Sequence, residues 1–299
     1  MALAVLSGLY CCKSGSTEET VLVHLSTGPL QVSINVKEGG RIVSLKFDTI
    51  ELLSGKNVHN SNYGSTFWTS PQSEWGWPPP LQTDSKPYSI NEYNDHVLNI
   101  MASADDLGYK VGKKFSVNDA DTSLTIIYSI RNTTDSIKKV APWEITRVAA
   151  TGLTFFAKGA EKPLEISNLY GSDTLDHYWL QYIPGSASKL FMNGKGWLAH
   201  ADKGLLFIKE FPDISPVEPA PGEEEVEIFL NEGGTYIELE NQGAYVEIQP
   251  DRIIEWQVKW YLRKLPDGMP KKPDTMYLNF CIKVLDQSIV FKLNVKLFV

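Results

Sequence analysis

Hydrophobic and polar residues alternate at every second position along most of the chain, which is the pattern of β-strands with one buried face. Clusters of Gly, Asn and Asp separate these stretches, and such clusters form turns. No helical periodicity extends beyond about ten residues. Strands spaced by roughly 8–12 residues predict an all-β fold, a large sandwich of antiparallel sheets. The clearest alternating stretches are 30–36, 43–47, 122–130, 204–209, 226–230, 235–240 and 252–262.

The strand pattern continues to the end of the chain, which predicts a single domain. A length of 299 residues is compatible with one large domain or two small ones. We expect residues 21–299 to form one β-sandwich domain. Within it, residues 275–299 alternate again and are predicted to add an edge hairpin that turns near 286–288.

Composition excludes several classes of function. Lys and Arg total 28 and Asp and Glu total 36, so the net charge is −8, which argues against nucleic acid as a partner and against polybasic attachment to lipid. Three cysteines are too few for a disulfide framework or a closed thiolate zinc site. No apolar run reaches the roughly 18 residues of a transmembrane helix.

The first twenty residues are similar to a bacterial lipoprotein signal followed by a polar tether. The apolar stretch 1–9 ends at Cys11 and Cys12, and residues 13–20 are polar. This order predicts an exported protein, periplasmic or anchored to the cell envelope by a lipid on Cys11 or Cys12. The alternative is an N-terminus with two incidental thiols, because no Lys or Arg precedes the apolar run and Tyr10 stands before Cys11.

A tryptophan-rich segment, 64–80, is the first candidate for function. It carries Trp68, Trp75 and Trp77 together with Gln72, and it ends in three consecutive prolines. Proline restricts the backbone of the preceding residue and stiffens the segment. Rigid indoles beside polar groups suit a sugar, which has an apolar face and a rim of hydroxyls. The alternative is that these rings only cover one end of the sandwich.

A second candidate segment is 141–147. Strand alternation places Trp143, Ile145 and Arg147 on one face and Glu144 with Thr146 on the other. A guanidinium group has five donors and no acceptor, so beside apolar residues Arg147 needs an anionic or multi-acceptor partner. That partner is either a carboxylate of the protein or a ligand.

A third candidate is the strand at 235–240. Tyr236, Glu238 and Glu240 share one of its faces. Same-face neighbours lie roughly 6.6–6.8 Å apart, a spacing that suits two carboxylates acting across the anomeric centre of a sugar. Solvated strand charges would have the same spacing. Among five histidines without metal-ligand spacing, His177 stands out because Tyr178 and Trp179 follow it. We predict no metal or cofactor, although calcium bound by oxygen ligands would leave no spacing signature.

These motifs together resemble the galactose mutarotase-like superfamily, and within it the bacterial DUF4380 family of unknown function. The resemblance covers about residues 25–265. It rests on GRIVSL at 40–45, ELL at 51–53, FWTSPQ at 67–72, WGWPP at 75–79, PWEITR at 142–147, GW at 196–197 and IELE at 237–240.

This resemblance implies a supersandwich fold with a carbohydrate cleft. It also implies that Arg41 faces the sugar and that Glu240 occupies the position of the general base of mutarotases. The histidine acid of that family has no counterpart in the matching motif. Glu144, His177 or Arg147 could take its place.

Three functions follow as hypotheses. The leading one is an exported carbohydrate-binding protein whose pocket contains Arg41, Trp68, Gln72, Trp75, Trp77, Trp143, Arg147 and Glu240. The second is an aldose 1-epimerase or mutarotase with Glu240 as base. The third is a glycoside-cleaving enzyme or accessory domain that uses Glu144 with Glu240 or Glu238.

Overall fold

Two ten-stranded antiparallel sheets stack face to face and enclose one continuous apolar core. The computed structural model describes residues 22–159, 170–172, 177–182, 188–267, 277, 279 and 281–285. The core takes side chains from both sheets, for example Ile34 and Leu239 from the first and Phe115 and Leu262 from the second. The predicted all-β supersandwich is therefore confirmed.

The first sheet carries the site described below. Its strand order is β1-β2-β3-β5-β10-β18-β17-β14, while β4 pairs with β3 and β19 with β10. These strands are β1 (Leu22–Thr27), β2 (Leu30–Asn35), β3 (Arg41–Phe47), β4 (Ile50–Glu51), β5 (Ser65–Ser70), β10 (Lys138–Ala149), β14 (Ser188–Met192), β17 (Val226–Leu230), β18 (Tyr236–Gln242) and β19 (Val246–Ile248).

The second sheet forms the other layer, in the order β12-β13-β11-β15-β16-β20-β9-β8-β7-β6. Its strands are β6 (Ser89–Tyr93), β7 (Val97–Met101), β8 (Tyr109–Asn118), β9 (Ser123–Asn132), β11 (Leu153–Ala157), β12 (Tyr170–Ser172), β13 (His177–Gln181), β15 (Trp197–Asp202), β16 (Leu205–Glu210) and β20 (Ile253–Lys264).

Alternation of side chains explains why these segments are strands. In β20 the residues Ile254, Trp256, Val258 and Trp260 face the core, as their spacing predicts. The predicted stretches 30–36, 122–130, 226–230 and 235–240 each coincide with a strand to within a few residues.

The tryptophan-rich region is less irregular than its prolines suggest, because β5 lies inside it. β5 pairs with β10 over six residues in the middle of the first sheet. Beyond it the chain forms a short 3-10 turn, Gln72–Glu74, and one helical turn, α1 (Leu81–Asp84).

The C-terminal prediction is wrong in the part that can be compared. Residues 277, 279 and 281–285 of the predicted hairpin are helical. Cys281 and Leu285, one helical turn apart, pack on the outer face of the second sheet against residues such as Phe155 and Ile208. Residues 1–20 lie outside the described residues, so export and lipidation at Cys11 or Cys12 stay predictions.

A buried ion pair connects the two sheets. Glu144 in β10 accepts hydrogen bonds from the Tyr128 hydroxyl at 2.6 Å and from the Trp260 indole at 3.2 Å, and its carboxylate lies 2.9 Å from Lys209 Nζ. Lys209 also donates to the carbonyl of Leu239. Burial lowers the pKa of Lys209, and the charge of Glu144 opposes that shift.

Removing the Lys209 cation should therefore destabilise the folded protein. We expect Lys209→Met to lower the free energy of unfolding by about 3 kcal/mol or more, because Glu144 would remain buried and unpaired. The double variant Glu144→Gln/Lys209→Met should lose less than the single variant. Urea unfolding measures both, with the exposed Lys264→Met as a control that changes stability by less than about 0.5 kcal/mol. Equal losses in the single and double variants would contradict this account.

Candidate functional site

The outward face of the first sheet is built around β10. In register, Trp143 of β10 lies opposite Trp68 of β5, and Arg147 lies opposite Glu238 of β18. Because alternate residues of a strand share a face, these side chains and Glu240 project on the same side, away from the core. Pairing of three strands thus brings together residues that are distant in the sequence.

Four tryptophans form one cluster on this face. The Trp68 ring makes edge-to-face contacts with Trp75, Trp77 and Trp143, with centroids 5.6, 6.0 and 5.5 Å away. Trp68 and Trp143 are almost fully buried, whereas Trp77 is 62% exposed. Such pairs add to the stability that burial alone supplies.

Hydrogen bonds hold three of the indoles in position. The ring N–H of Trp68 donates to Asp84, that of Trp143 to Glu240 and that of Trp75 to the carbonyl of Thr69, at 2.8, 2.9 and 2.8 Å. Each ring therefore has a set orientation, and little entropy is lost when a ligand uses it.

Arg41 is buried behind this cluster and connects two loops. Its guanidinium contacts the Asp84 carboxylate at 3.3 Å and donates to the carbonyl of Ser61 at 2.5 Å. The Asp84 backbone lies close enough to Gly39 that a Cβ there would sit 1.8 Å from the Asp84 carbonyl oxygen. Glycine at position 39, with φ of +67°, is thus what allows the loop carrying Asp84 to approach.

Of the two kinds of partner expected for Arg147, the structure contains a carboxylate of the protein. Its Nε donates to Glu238 at 2.7 Å and its Nη1 to the hydroxyl of Thr66 at 3.0 Å, while the guanidinium lies over the Trp68 ring. Nη2 is buried and has no hydrogen-bond partner among the described residues. The pair fixes the Glu238 side chain on the outward face.

Beside this pair, one lysine contacts two buried carboxylates. Lys189 Nζ lies 2.6 Å from Glu227 and 3.2 Å from Glu240, and it sits over the Trp143 ring. Glu227 also accepts hydrogen bonds from Gln242 and from the backbone of Glu224. Oε1 of Glu240 is buried without a partner.

This arrangement shifts the pKa values of all three groups. Burial raises the pKa of Glu240 to about 7, against the opposing effect of Lys189. Burial and the charge of Glu240 raise the pKa of Glu227 well above its ordinary value. Burial also acts to lower the pKa of Lys189, but the two carboxylates outweigh it and the net shift is upward. One ammonium cannot compensate two buried carboxylates, so the cluster retains a proton near neutral pH.

A cleft of about 390 Å³ opens above these groups. Two larger cavities, of about 710 and 870 Å³, border residues 265–267 at the edge of the described chain and contain no tryptophan. The smaller cleft is therefore the candidate site. It is lined by His59, Asn62, Trp68, Gln72, Trp77, Trp143, Lys189, Phe229, Asn231, Tyr236 and Glu238.

Four of the seven predicted sugar-binding residues line this cleft: Trp68, Gln72, Trp77 and Trp143. The other three, Arg41, Trp75 and Arg147, support the lining from behind through the contacts given above. Glu240, the predicted base, is 1% exposed and lies beneath Lys189 and Trp143 rather than on the wall.

Two predicted catalytic residues are not at the cleft. Glu144 points into the core on the opposite face of β10, because alternate residues of a strand face opposite sides. It cannot flank a glycosidic bond together with Glu240 or Glu238, which removes the glycoside-cleaving pair. His177 lies in the second sheet against Trp197, at 5.6 Å between ring centroids.

Several lining residues were not predicted from the sequence. His59 and Asn62 come from the loop before β5, Lys189 from the edge strand β14 and Asn231 from the turn after β17. His59 Nδ1 accepts the backbone N–H of Asn62 at 2.8 Å, so the neutral imidazole carries its proton on Nε2. Among these further lining residues, only Tyr236 and Glu238 could be inferred from the sequence, because strand alternation placed them on the same face as Glu240.

Comparisons with known proteins identify the fold. No family model and no curated protein sequence matches the chain, so the DUF4380 resemblance stays a prediction. A galactose mutarotase-related enzyme of Lactobacillus acidophilus is 10% identical, with a TM-score of 0.56, over 83% of this chain and 99% of that one.

Two further solved structures agree. A galactose mutarotase-like protein of Lactobacillus casei is 10% identical, with a TM-score of 0.55, over 81% of this chain and 100% of that one. A GalM/aldose epimerase homologue of C. elegans is 9% identical, with a TM-score of 0.54, over 83% of this chain and 100% of that one. The fold is therefore galactose mutarotase-like.

Metal sites and membrane-spanning helices are two further features to consider in the described part of the chain. Among the described residues, no group of three or more His, Cys, Asp or Glu side chains is arranged to hold a metal ion. No described helix has the length and apolar character to cross a membrane.

The raised pKa of Glu240 predicts a pH dependence of stability. Between about pH 4.3, the ordinary value for Glu, and about pH 7, the folded state holds a proton that the unfolded state has released. Stability must then fall as pH rises through this window. Glu240→Gln removes this contribution. The free energy of unfolding of the variant, relative to that of the wild type, should therefore increase from pH 5 to pH 8.

Urea unfolding at several pH values measures the difference. The matched control is Glu247→Gln, an exposed glutamate in β19, which should leave the pH profile unchanged. Parallel profiles for wild type and Glu240→Gln would show that Glu240 titrates in its ordinary range.

Proposed function

We propose that the cleft binds a carbohydrate, an aldose in its ring form. The observation that carries this proposal is the combination of three indoles with a polar rim in one small cavity. Trp77 offers an exposed apolar face and Trp68 and Trp143 line the cleft beside it, while Gln72 and Glu238 stand among the polar groups of the lining. A sugar ring needs both kinds of surface, since each buried hydroxyl requires a partner.

The size and rigidity of the cleft support the same ligand. About 390 Å³ lies within the roughly 300–1,000 Å³ of small-molecule sites. Glu238 is held by Arg147 at 2.7 Å, and Asn62 donates to the Tyr236 hydroxyl at 3.0 Å. The donors and acceptors of the rim are thus positioned before a ligand arrives, which reduces the entropy cost of binding.

Trp77 allows a direct test, because it is exposed and its removal should not unfold the protein. For any sugar found to bind, we expect Trp77→Ala to weaken affinity about tenfold, or ~1.4 kcal/mol. Isothermal titration calorimetry with a panel of mono- and oligosaccharides measures this. The control is Tyr93→Ala, which removes an aromatic ring that is 55% exposed on the second sheet.

The control should bind as the wild type does. If no sugar of the panel produces binding heat at millimolar concentration, the proposed function is wrong. If Trp77→Ala binds the sugar as tightly as the wild type does, the sugar does not contact Trp77, and this part of the proposal is wrong.

A second candidate function is interconversion of aldose anomers. Glu240 favours it, because a carboxyl whose pKa is about 7 can give and take a proton at neutral pH. His59 lines the cleft and is the histidine from which an acid could come. The similarity in fold to the GalM/aldose epimerase homologue of C. elegans adds support to this candidate.

Polarimetry on freshly dissolved α-D-glucose and α-D-galactose tests this activity. We expect the wild type to accelerate the change in optical rotation and Glu240→Gln to lose at least about a hundredfold of that rate. Glu247→Gln serves again as control and should retain full activity. A wild-type rate no greater than that of buffer, or an unaffected Glu240→Gln, would leave binding as the function.

A further inference from the structure

Acidic side chains outnumber basic ones around the cleft, and the Glu227–Glu240 pair retains a proton near neutral pH. Among the described residues, five acidic and two basic side chains line the cleft or contact its lining. A third basic side chain, Arg41, is bound to one of the five, Asp84. The carboxylates are Asp84, Glu223, Glu227, Glu238 and Glu240, and the two cations are Arg147 and Lys189.

Each of these cations already has a carboxylate partner. Arg41 pairs with Asp84, Arg147 with Glu238, and Lys189 with Glu227 and Glu240. The free Nη2 of Arg147 belongs to a side chain that is 1% exposed. A phosphate or carboxylate on a ligand would therefore meet, among the described residues, no cation that lacks a carboxylate partner.

One carboxylate oxygen on the wall has no partner. Oε1 of Glu238 accepts the Arg147 hydrogen bond, and no other hydrogen bond among the described residues reaches its Oε2. Glu238 is 8% exposed and lines the cleft. A carboxylate oxygen that is accessible from the cleft and has no partner among the described residues favours a donor, and a charged donor most strongly.

The indoles around Glu238 suit the same donor. Aromatic faces attract cations, and this site already uses the effect: Lys189 Nζ lies 4.6 Å from the Trp143 centroid and the Arg147 guanidinium 5.4 Å from that of Trp68. The Trp77 ring is 62% exposed and leaves an indole face for an ammonium group in the same cleft as Oε2 of Glu238.

We infer that the preferred ligand is an amino sugar, an aldose with a protonated primary amine that is bound by Glu238. This inference rests on the proposed carbohydrate site and specifies its ligand class. The ammonium would donate to Glu238 Oε2, while the ring would pack on Trp68, Trp77 and Trp143. Neutral sugars would bind more weakly and sugar phosphates more weakly still.

Matched ligands test this inference without altering the protein. We would titrate D-glucosamine, N-acetyl-D-glucosamine, D-glucose and D-glucose 6-phosphate, and the same four derivatives of galactose, into the full chain at pH 6 by calorimetry. In at least one series the free amine should bind about tenfold or more tighter than the neutral parent and its N-acetyl form. The phosphate should bind most weakly.

The outcomes separate the two proposals. If neutral or phosphorylated sugars bind as tightly as the amines in both series, the amino-sugar inference fails and the carbohydrate site stands. If no sugar of any charge binds, the proposed function fails and the inference with it.

A variant tests the role of Glu238 itself. Glu238→Gln keeps the side-chain shape and an oxygen that can accept from Arg147, so the fold should persist, as thermal melting would check. Its preference for the amine over the neutral parent should fall about tenfold, while Glu247→Gln should keep the wild-type preference. A variant that folds and retains the full preference would overturn the assignment of the ammonium to Glu238.

Discussion

Pairing of β10 with β5 and β18 is the constraint on which the site depends. This register puts Trp143 opposite Trp68 and Arg147 opposite Glu238, and it brings Glu240 to the Trp143 indole. A shift of one residue in either pairing would turn these side chains to the other face of the sheet. The site is therefore as well specified as the core, because the same alternation that turns Phe67 and Leu239 into the core turns the indoles and carboxylates to the other face of the sheet.

β10 carries buried charge on both of its faces, which is unusual for a central strand. On the core side Glu144 is satisfied by Lys209, Tyr128 and Trp260, and on the cleft side Arg147 is satisfied by Glu238. Replacing a buried ion pair with apolar residues is often neutral or stabilising, so stability alone does not explain the two pairs. On the cleft side the pair positions a carboxylate; on the core side Lys209 also donates to the backbone of β18 and so joins the two sheets.

Strand alternation predicted the fold, because a period of two survives in the sequence whatever the strands later pair with. Within single strands it also predicted that Trp143 shares a face with Arg147 and that Glu238 shares a face with Glu240. It could not predict partners: Arg147 was left with two possible partners until β18 placed Glu238 beside it. Lys189 and His59 carried no pattern at all, since an edge strand and a loop contribute them through tertiary contacts alone. Glu144 and His177 were included by analogy with a family mechanism, and their local alternation and sheet membership place them elsewhere.

Lys189 covers Glu240, and this position favours the first candidate function, binding, over the second, epimerisation. While it contacts Glu227 and Glu240, the Glu240 carboxyl is 1% exposed and the cleft above it is a binding surface of indoles, amides and Glu238. Epimerisation would require Glu240 to reach an anomeric hydroxyl, and Lys189 would first have to leave the wall. That movement would break contacts with two buried carboxylates and a cation–π contact with Trp143, which a ligand would have to replace. An incoming ammonium could replace part of that charge, so under the amino-sugar proposal a charged ligand would reach Glu240 at a lower cost than a neutral sugar.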